Sequence, residues 1–441
     1  MRLVSALPVL LVTGPLLAQP LDLAGALALA DSLSTPGHLA LRIVEEARGD
    51  RLAASAAYLP SMRLEGAWGA TTDPLGAFAG RLGQRRIAAE DFNPAELNDP
   101  DAVPGWTAGV ITEVPLINVD AWRQAGLASG RVEVRRLESR RSLQRLHSDV
   151  LKAWHGLAVA GESARAWAKA AEAARTARRN ALSASEQGMA ERSSLLRARV
   201  RAAEIEAESA KADAEASLAR QSLAVLIGGF PIAEDARVEG IAVDSLRRFS
   251  ESLSDSGLSL DMALSRTNHA LAQGDLSRAR AAWLPRLNGM ARMDWKGRGE
   301  PADGDPSWTV GLAARWDLFQ GLGEWGREAS ARARLAMARE GLVSRERQEA
   351  LERDTWALRS KVALERITIA QDGIEASAEA ARIAQRKYAE GLMEQSEWLG
   401  ALADEAKAVV ALEALRLEAV DALGNRAMAL GVDPARMAGR K

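Results

Sequence analysis

The stretch from Trp308 to about Leu399 limits this chain more than any other: it alternates first, then runs on at helical spacing without a proline. Trp308, Val310, Leu312, Ala314, Trp316 and Leu318 fall on one face, and Thr309, Gly311, Ala313, Arg315 and Asp317 on the other. Period two predicts a strand with one apolar face. Its two tryptophans span ~26 Å at ~3.3 Å per residue, close to the ~25 Å apolar band of an outer-membrane barrel with its aromatic girdles. The Ala-, Leu-, Glu- and Arg-rich run that follows predicts a helix from about Leu322 to Tyr388, on the order of 100 Å long. That is far beyond the usual helix of a globular domain.

The unit occurs twice. Trp106–Gly109 (WTAG) answers Trp308–Gly311 (WTVG) at an offset of 308 − 106 = 202, and Gly188 answers Gly391 at 391 − 188 = 203. Gly228 and Pro231 answer Gly431 and Pro434, also at 203, so the register holds over more than a hundred residues, as an internal duplication requires. ASAAYLP ending at Pro60 answers ARAAWLP ending at Pro285 at an offset of 225, so a connecting loop differs between the halves.

Composition agrees with packed helices rather than a globular core: aromatics make up only 4%, and twelve of the nineteen are Trp. A formal net charge of −2 gives no sign of nucleic-acid binding. The absence of cysteine excludes disulfides, thiol chemistry and N-terminal lipidation. Met1–Ala18 reads as a secretory signal peptide cut before Gln19, and Pro8 and Pro15 argue against a buried helix there. No later run is long and apolar enough for a transmembrane helix, so a membrane location would be that of a barrel.

In order, Leu21–Ala57 predicts a helix broken near Pro36, and Ser61–Trp68 a first strand with Met62, Leu64, Gly66 and Trp68 on one face. Residues 69–105 read as a long loop, and Trp106–Leu116 as a second strand. A helix from about Asp120 to Gln187, the turn at Gly188 and a helix from Ser193 to Ile227 complete a first repeat over residues 19–230. Residues 231–257 read as a linker, 258–434 as the second repeat and 435–441 as a frayed tail. Within the second repeat a short helix ends at Leu284, a third strand covers Arg286–Trp295, and a closing helix covers Gln395–Leu430. The fold class is mainly α with a small β part: long antiparallel helical hairpins plus four strands. Four strands cannot close a barrel, and an open edge in lipid is not viable. Pooling strands from three copies gives twelve, an even number within the known range, in a cyclic homotrimer.

Other motifs carry less. Gly321, Gly323 and Gly326 spell G-x-G-x-x-G, but the strand before them is amphipathic and none follows, so they read as relaxing the strand-to-helix bend rather than binding a nucleotide. His38, His147, His155 and His269 are scattered, which favours surface or packing roles over metal ligation. No acidic pair is placed for catalysis. No enzyme, cofactor or metal is predicted. The turns GMAERSSLLRA (Gly188–Ala198) and GLMEQSEWLGA (Gly391–Ala401) read at least as helical hairpins. Their functional reading is a tip that narrows one end of a helical tube and meets a partner.

With these residues the chain resembles the TolC family of outer-membrane efflux and secretion channels. The resemblance rests on Ala54–Pro60 and Ala279–Pro285 before strands, the W-x-x-G strands, QGLGEWGRE opening a long helix, and Tyr388 with Gly391, Leu399 and Ala401. It covers nearly all of the chain after the signal peptide. It implies a trimer with a twelve-stranded barrel among outer-membrane lipid, an aromatic girdle (Trp68, Trp106, Trp295, Trp308, Trp316) and a long periplasmic helical tunnel. A periplasmic adaptor and an inner-membrane transporter would open its tip. In the family's second tip acidic residues ring the constriction; Glu397 matches the first such position, and Gly400 departs from the second. Where some members carry a locking base this chain has Met393, facing Ser193 and Ser194. The function implied is the exit duct of a tripartite efflux pump. The alternatives are the outer-membrane component of a type I secretion system or, in a different class, a periplasmic coiled-coil adaptor.

Overall fold

The computed structural model describes residues 21–187, 191–254, 257–299 and 304–439. The expected signal peptide and the turn glycine Gly188 lie outside the described residues. In chain order the elements are α1 (Leu23–Leu33), α2 (Thr35–Ala54), β1 (Ser61–Thr71), α3 (Pro74–Gly83), α4 (Pro94–Asn98), β2 (Val103–Ile117), α5 (Val119–Glu186), α6 (Arg192–Leu226), α7 (Val243–Ser252), α8 (Leu260–Ala281), β3 (Arg286–Gly297), β4 (Asp305–Arg315), α9 (Gly323–Ala389) and α10 (Gln395–Ala429). Two compact units result. One comprises the described residues up to Arg42, in Glu138–Ala263 and from Arg345 onward; the other comprises Ile43–Leu137 and Leu264–Ser344.

The second unit holds one antiparallel sheet in the order β1-β2-β3-β4. Its register decides the chemistry of its faces. Leu64 stands opposite Val110, Val110 opposite Met293, and Met293 opposite Trp308. One row to either side stand Met62, Thr112, Ala291 and Val310, and Gly66, Ala108, Trp295 and Pro306. Because side chains alternate along each strand, the residues predicted for an apolar face share one face of the sheet, apart from Leu116 at the irregularity between Pro115 and Ile117 and Trp316 and Leu318 beyond the end of β4. The other face carries Arg63, Glu65, Glu113, Arg292 and Asp294, tied by Arg63–Glu65 (3.4 Å), Arg63–Glu113 (3.7 Å) and Arg292–Asp294 (2.7 Å) ion pairs. The apolar face is left bare: Met62 is 76% and Trp308 77% exposed. No strand among the described residues pairs with the outer edge of β1 or β4.

Two sequence expectations change here. The fourth strand stops at Arg315 rather than Leu318, where the Trp316 indole turns to donate to the Trp283 carbonyl (3.0 Å). Residues 69–105 are not an open loop but contain α3 and α4. Each starts on a cap followed by proline: Asp73 accepts from the Gly76 N–H (2.6 Å) before Pro74, and Asn93 from the Ala95 N–H (3.2 Å) before Pro94.

The first unit displays the duplication atom by atom. Ser34 and Ser259, 225 residues apart, are both 2% exposed. Each caps the following helix by accepting from the N–H three residues on, Gly37 (3.1 Å) and Met262 (3.1 Å). Gly228 and Gly431 end the last helix of each repeat in left-handed geometry, φ 80° and 72°. Each backs onto the residue before the matching serine: a Cβ on Gly228 would run into the Leu33 backbone, and one on Gly431 into the Leu258 carbonyl.

Between the repeats, residues 231–257 are no mere linker. Their helix α7 inserts Leu246 and Phe249 into a core with Leu151, Ile367, Val420 and Leu423. The chain end is likewise packed, since Pro434–Ala438 forms a 3-10 turn that buries Pro434, Ala435 and Met437. Farther along, Ala170, Ala171, Ala174 and Ala177 of α5 meet Ala202 and Ile205 of α6 and Ala403 and Ala406 of α10. Small side chains there let helix backbones approach closely.

Candidate functional site

The tip follows from how α9 ends. Gly391 takes φ 73°, and the Leu392 N–H reaches back to the Lys387 carbonyl (2.8 Å), the glycine-dependent stop of a helix. Glu394 then opens α10. Tyr388 stacks on Trp398 across this turn, centroids 4.8 Å apart and planes 11° from parallel, and burial pushes the Tyr388 phenol above its usual pKa. Met393 packs with them against the alanine-lined core. Ser193 and Ser194 sit half-buried in the first turn of α6.

Glu397 is exposed in the first turn of α10. Gly400, one turn on, faces α6 instead, where a Cβ would lie 3.6 Å from the Arg201 guanidinium. The two positions therefore have different surroundings: Glu397 is exposed, with no ion pair among the described residues, while Gly400 lies beside Arg201.

An ionic contact does join the tip, at residues the sequence reading passed over. Arg197 of α6 donates to both carboxylate oxygens of Glu394 (3.1 and 3.3 Å). Further ties lie on the same hairpins, Arg178–Glu206 (3.2 Å) and Lys169–Glu405 (3.0 Å). The signal was present: G-x-x-E occurs in both turns, with Glu191 and Glu394 at the repeat offset of 394 − 191 = 203. Both glutamates occupy helix N-caps, where the helix dipole favours negative charge.

Of the five tryptophans expected in a girdle, four gather at the hairpin end of the sheet. Trp68 pairs with Trp106, Trp295 lies opposite Ala108, and Trp308 lies opposite Met293. Trp106 is half-buried, close against Gly297 and Gly304. Trp316 stands beyond the other end of β4, near an edge-to-face pair that the sequence reading did not place, Trp283 and Trp325 (5.4 Å).

Both buried histidines serve packing. His147 sits between two carboxylates, Nδ1 to Asp433 (2.8 Å) and Nε2 to Asp31 (2.8 Å). Burial works against its charge, but hydrogen bonds to Asp31 and Asp433 outweigh it and lift the pKa to about 9. His155 accepts from the Ile241 N–H (3.3 Å); burial, then nearby Arg416, lowers its pKa to about 4. Among the described residues no group of His, Asp and Glu is arranged to hold a metal ion, and no helix is long and apolar enough to cross a membrane.

Comparison with known proteins places this geometry. Residues 257–432 match the outer membrane efflux protein family. The Campylobacter jejuni CmeC outer membrane channel superposes with a TM-score of 0.76 at 14% identity, over 93% of this chain and 85% of that one. The Neisseria gonorrhoeae MtrE outer membrane channel, in its open state, gives 0.73 at 16% identity, over 94% and 89%. The Vibrio cholerae outer membrane protein VceC gives 0.70 at 18%, over 91% and 96%. No curated protein sequence matches the chain.

Proposed function

From a chain whose residues 257–432 match the outer membrane efflux protein family and whose fold is that of such channels, we propose a homotrimeric exit duct that passively conducts small molecules out of the periplasm as part of a tripartite pump. Three four-stranded sheets would join edge to edge into a twelve-stranded barrel, with their bare apolar faces toward lipid and their Arg, Glu and Asp faces toward the lumen. The long helices would pool into a periplasmic tunnel ending at the Gly391 turn. A periplasmic adaptor and an inner-membrane transporter would engage that end.

One observation carries the reading: a single register gathers Met62, Leu64, Val110, Met293, Trp308 and Val310 on one uncovered face of a sheet whose two edge strands have no outer partner among the described residues. In water such a surface is an aggregation site; in a bilayer it is a wall, provided the edges are closed. The work of such a duct is selection and passage, with no bond made or broken.

The test is assembly and conduction of the purified protein. Heat-resistant trimers on denaturing gels, together with discrete conductance steps in planar bilayers, are expected. A monomeric, water-soluble product that produces no steps would overturn the reading.

A further inference from the structure

The connection between β1 and β2 lies on the polar face of the sheet. Along β2 the odd positions Val103, Gly105 and Thr107 share that face, opposite Trp106 and Ala108, and Lys296 joins them through its pairing with Thr107. The approaches that α3 makes to β2 and β3 are to this set. Gly80 lies against Val103, a Cβ there falling 3.6 Å from its methyl group; Gly83 lies against the Lys296 side chain, and the Gln84 amide lies over Gly105. Ala77, Gly80 and Gln84 thus form one stripe of α3, turned to the sheet. The opposite stripe carries Leu75 and Leu82, seven residues apart and 76% and 57% exposed.

Polar contacts hold the segment across three strands. Gln84 Nε2 donates to the Pro104 carbonyl of β2 (3.1 Å) and the Gly297 carbonyl of β3 (3.5 Å). Arg85 donates to the Pro306 carbonyl of β4 (3.0 Å) and lies 3.6 Å from the Asp305 carboxylate. To make this reach Arg85 adopts φ 51°, a left-handed conformation that side chains with a Cβ rarely take. Behind it the fold is braced by the Arg81–Asp91 pair (2.5 Å) and by Phe78 set edge-on to Phe92 (5.9 Å).

We infer that this segment is a strap that narrows the outer mouth of the duct and limits what can leave, latched to the strand ends by Gln84 and Arg85. The inference rests on the proposed function, in which the polar face lines the lumen and the hairpin ends open to the outside. In that setting Leu75 and Leu82 of three copies project into a charged bore as an apolar collar, which disfavours hydrated ions and admits apolar solutes. A strap on the lipid side would have met the Trp68, Trp106 and Trp308 face instead.

The test uses purified trimers in planar bilayers, reading single-channel conductance and the largest polyethylene glycol that enters from the outer side. Gln84→Ala with Arg85→Ala should raise conductance about twofold and admit larger polymers, because a pore's width sets both. The chain has no cysteine, so Gly80→Cys with Val103→Cys adds one isolated pair. That pair should link on mild oxidation in otherwise unaltered trimers and leave conductance at the parental value. Placed in the alanine background, it should restore the narrow mouth when oxidised and lose it on reduction. Conductance and polymer cut-off unchanged by the alanines would overturn the strap, as would a cysteine pair that stays unlinked. An unaltered protein without steps would instead remove the duct itself.

Discussion

Arg197 and Glu394 meet across the tip, guanidinium Nη2 3.1 Å from carboxylate Oε1, and so tie the start of α6 to the start of α10. Both side chains are about half exposed, so the pair contributes roughly 0.2–1 kcal/mol and is open to screening. Arg197→Ala should therefore raise the opening frequency of single channels by a few-fold, and Arg197→Lys should recover part of the closed behaviour. Raising salt from about 0.1 M to about 1 M shortens the screening length from ~10 Å to ~3 Å and should act in the same direction. A variant that gates like the parent at low salt would show that the pair only shapes the hairpin.

Glu397 and Gly400 lie three residues apart on α10, yet substitutions at the two should not behave alike. Glu397→Gln removes an exposed carboxylate from each copy of the proposed trimer and should lower cation preference, read as a shift of reversal potential in a salt gradient. Gly400→Asp adds a carboxylate beside the Arg201 guanidinium, which already holds Glu204 (2.8 Å) and would hold the new group on the side facing α6. Cation preference should then stay near the parental value. Equal and opposite shifts from the two variants would mean that both positions face the bore.

His147 and His155 give the helical unit a stability optimum. Only the imidazolium has two N–H donors for Asp31 and Asp433. With a folded pKa of about 9 against an ordinary 6.5, this contribution is complete below 6.5 and fades as pH rises to about 9. His155 behaves in the opposite sense. Its pKa of about 4 means that its contribution is complete above 6.5 and fades as pH falls toward 4. Amide exchange in α1 and Pro434–Ala438 should accelerate on the alkaline side, and exchange near Ile241 on the acid side. His147→Gln should flatten the alkaline limb and cost roughly 1–3 kcal/mol, the scale for polar groups that lose a hydrogen-bond partner, because Asp31 and Asp433 are only partly buried. An alkaline limb that survives in His147→Gln would assign it to another group.

Much of this architecture was legible because its periods are unambiguous. Alternation placed all four strands, and the repeat offset of 203 located both helix ends, whereas the caps at Ser34 and Ser259 emerged only from the fold. What escaped was tertiary or rested on single residues. Asp73-Pro74 and Asn93-Pro94 announce helix starts, but the segments they open are too short for a period to emerge. Leu246, Phe249 and Leu253 have helical spacing, yet among polar neighbours only the packed core reveals that α7 is inserted rather than connecting. Arg197–Glu394 spans 197 residues. Only the packing of α6 against α10 brings the two residues together.

Leu312 and Ala313 test the orientation of the sheet most directly, because they are adjacent on β4, both exposed, and on opposite faces. Were both faces wet, arginine at either position would be a surface change within about 0.5 kcal/mol. In the barrel only Leu312 meets lipid, where arginine near the midplane costs about 2–4 kcal/mol, while Ala313 looks into a lumen already lined by Arg63, Arg292 and Arg315. Leu312→Arg should accordingly lower the temperature at which the trimer dissociates on gels and slow its insertion into vesicles. Ala313→Arg should leave both unchanged and alter only conductance. Equal tolerance at the two positions would remove the lipid from the apolar face, and an Ala313→Arg defect with a normal Leu312→Arg would turn the sheet inside out.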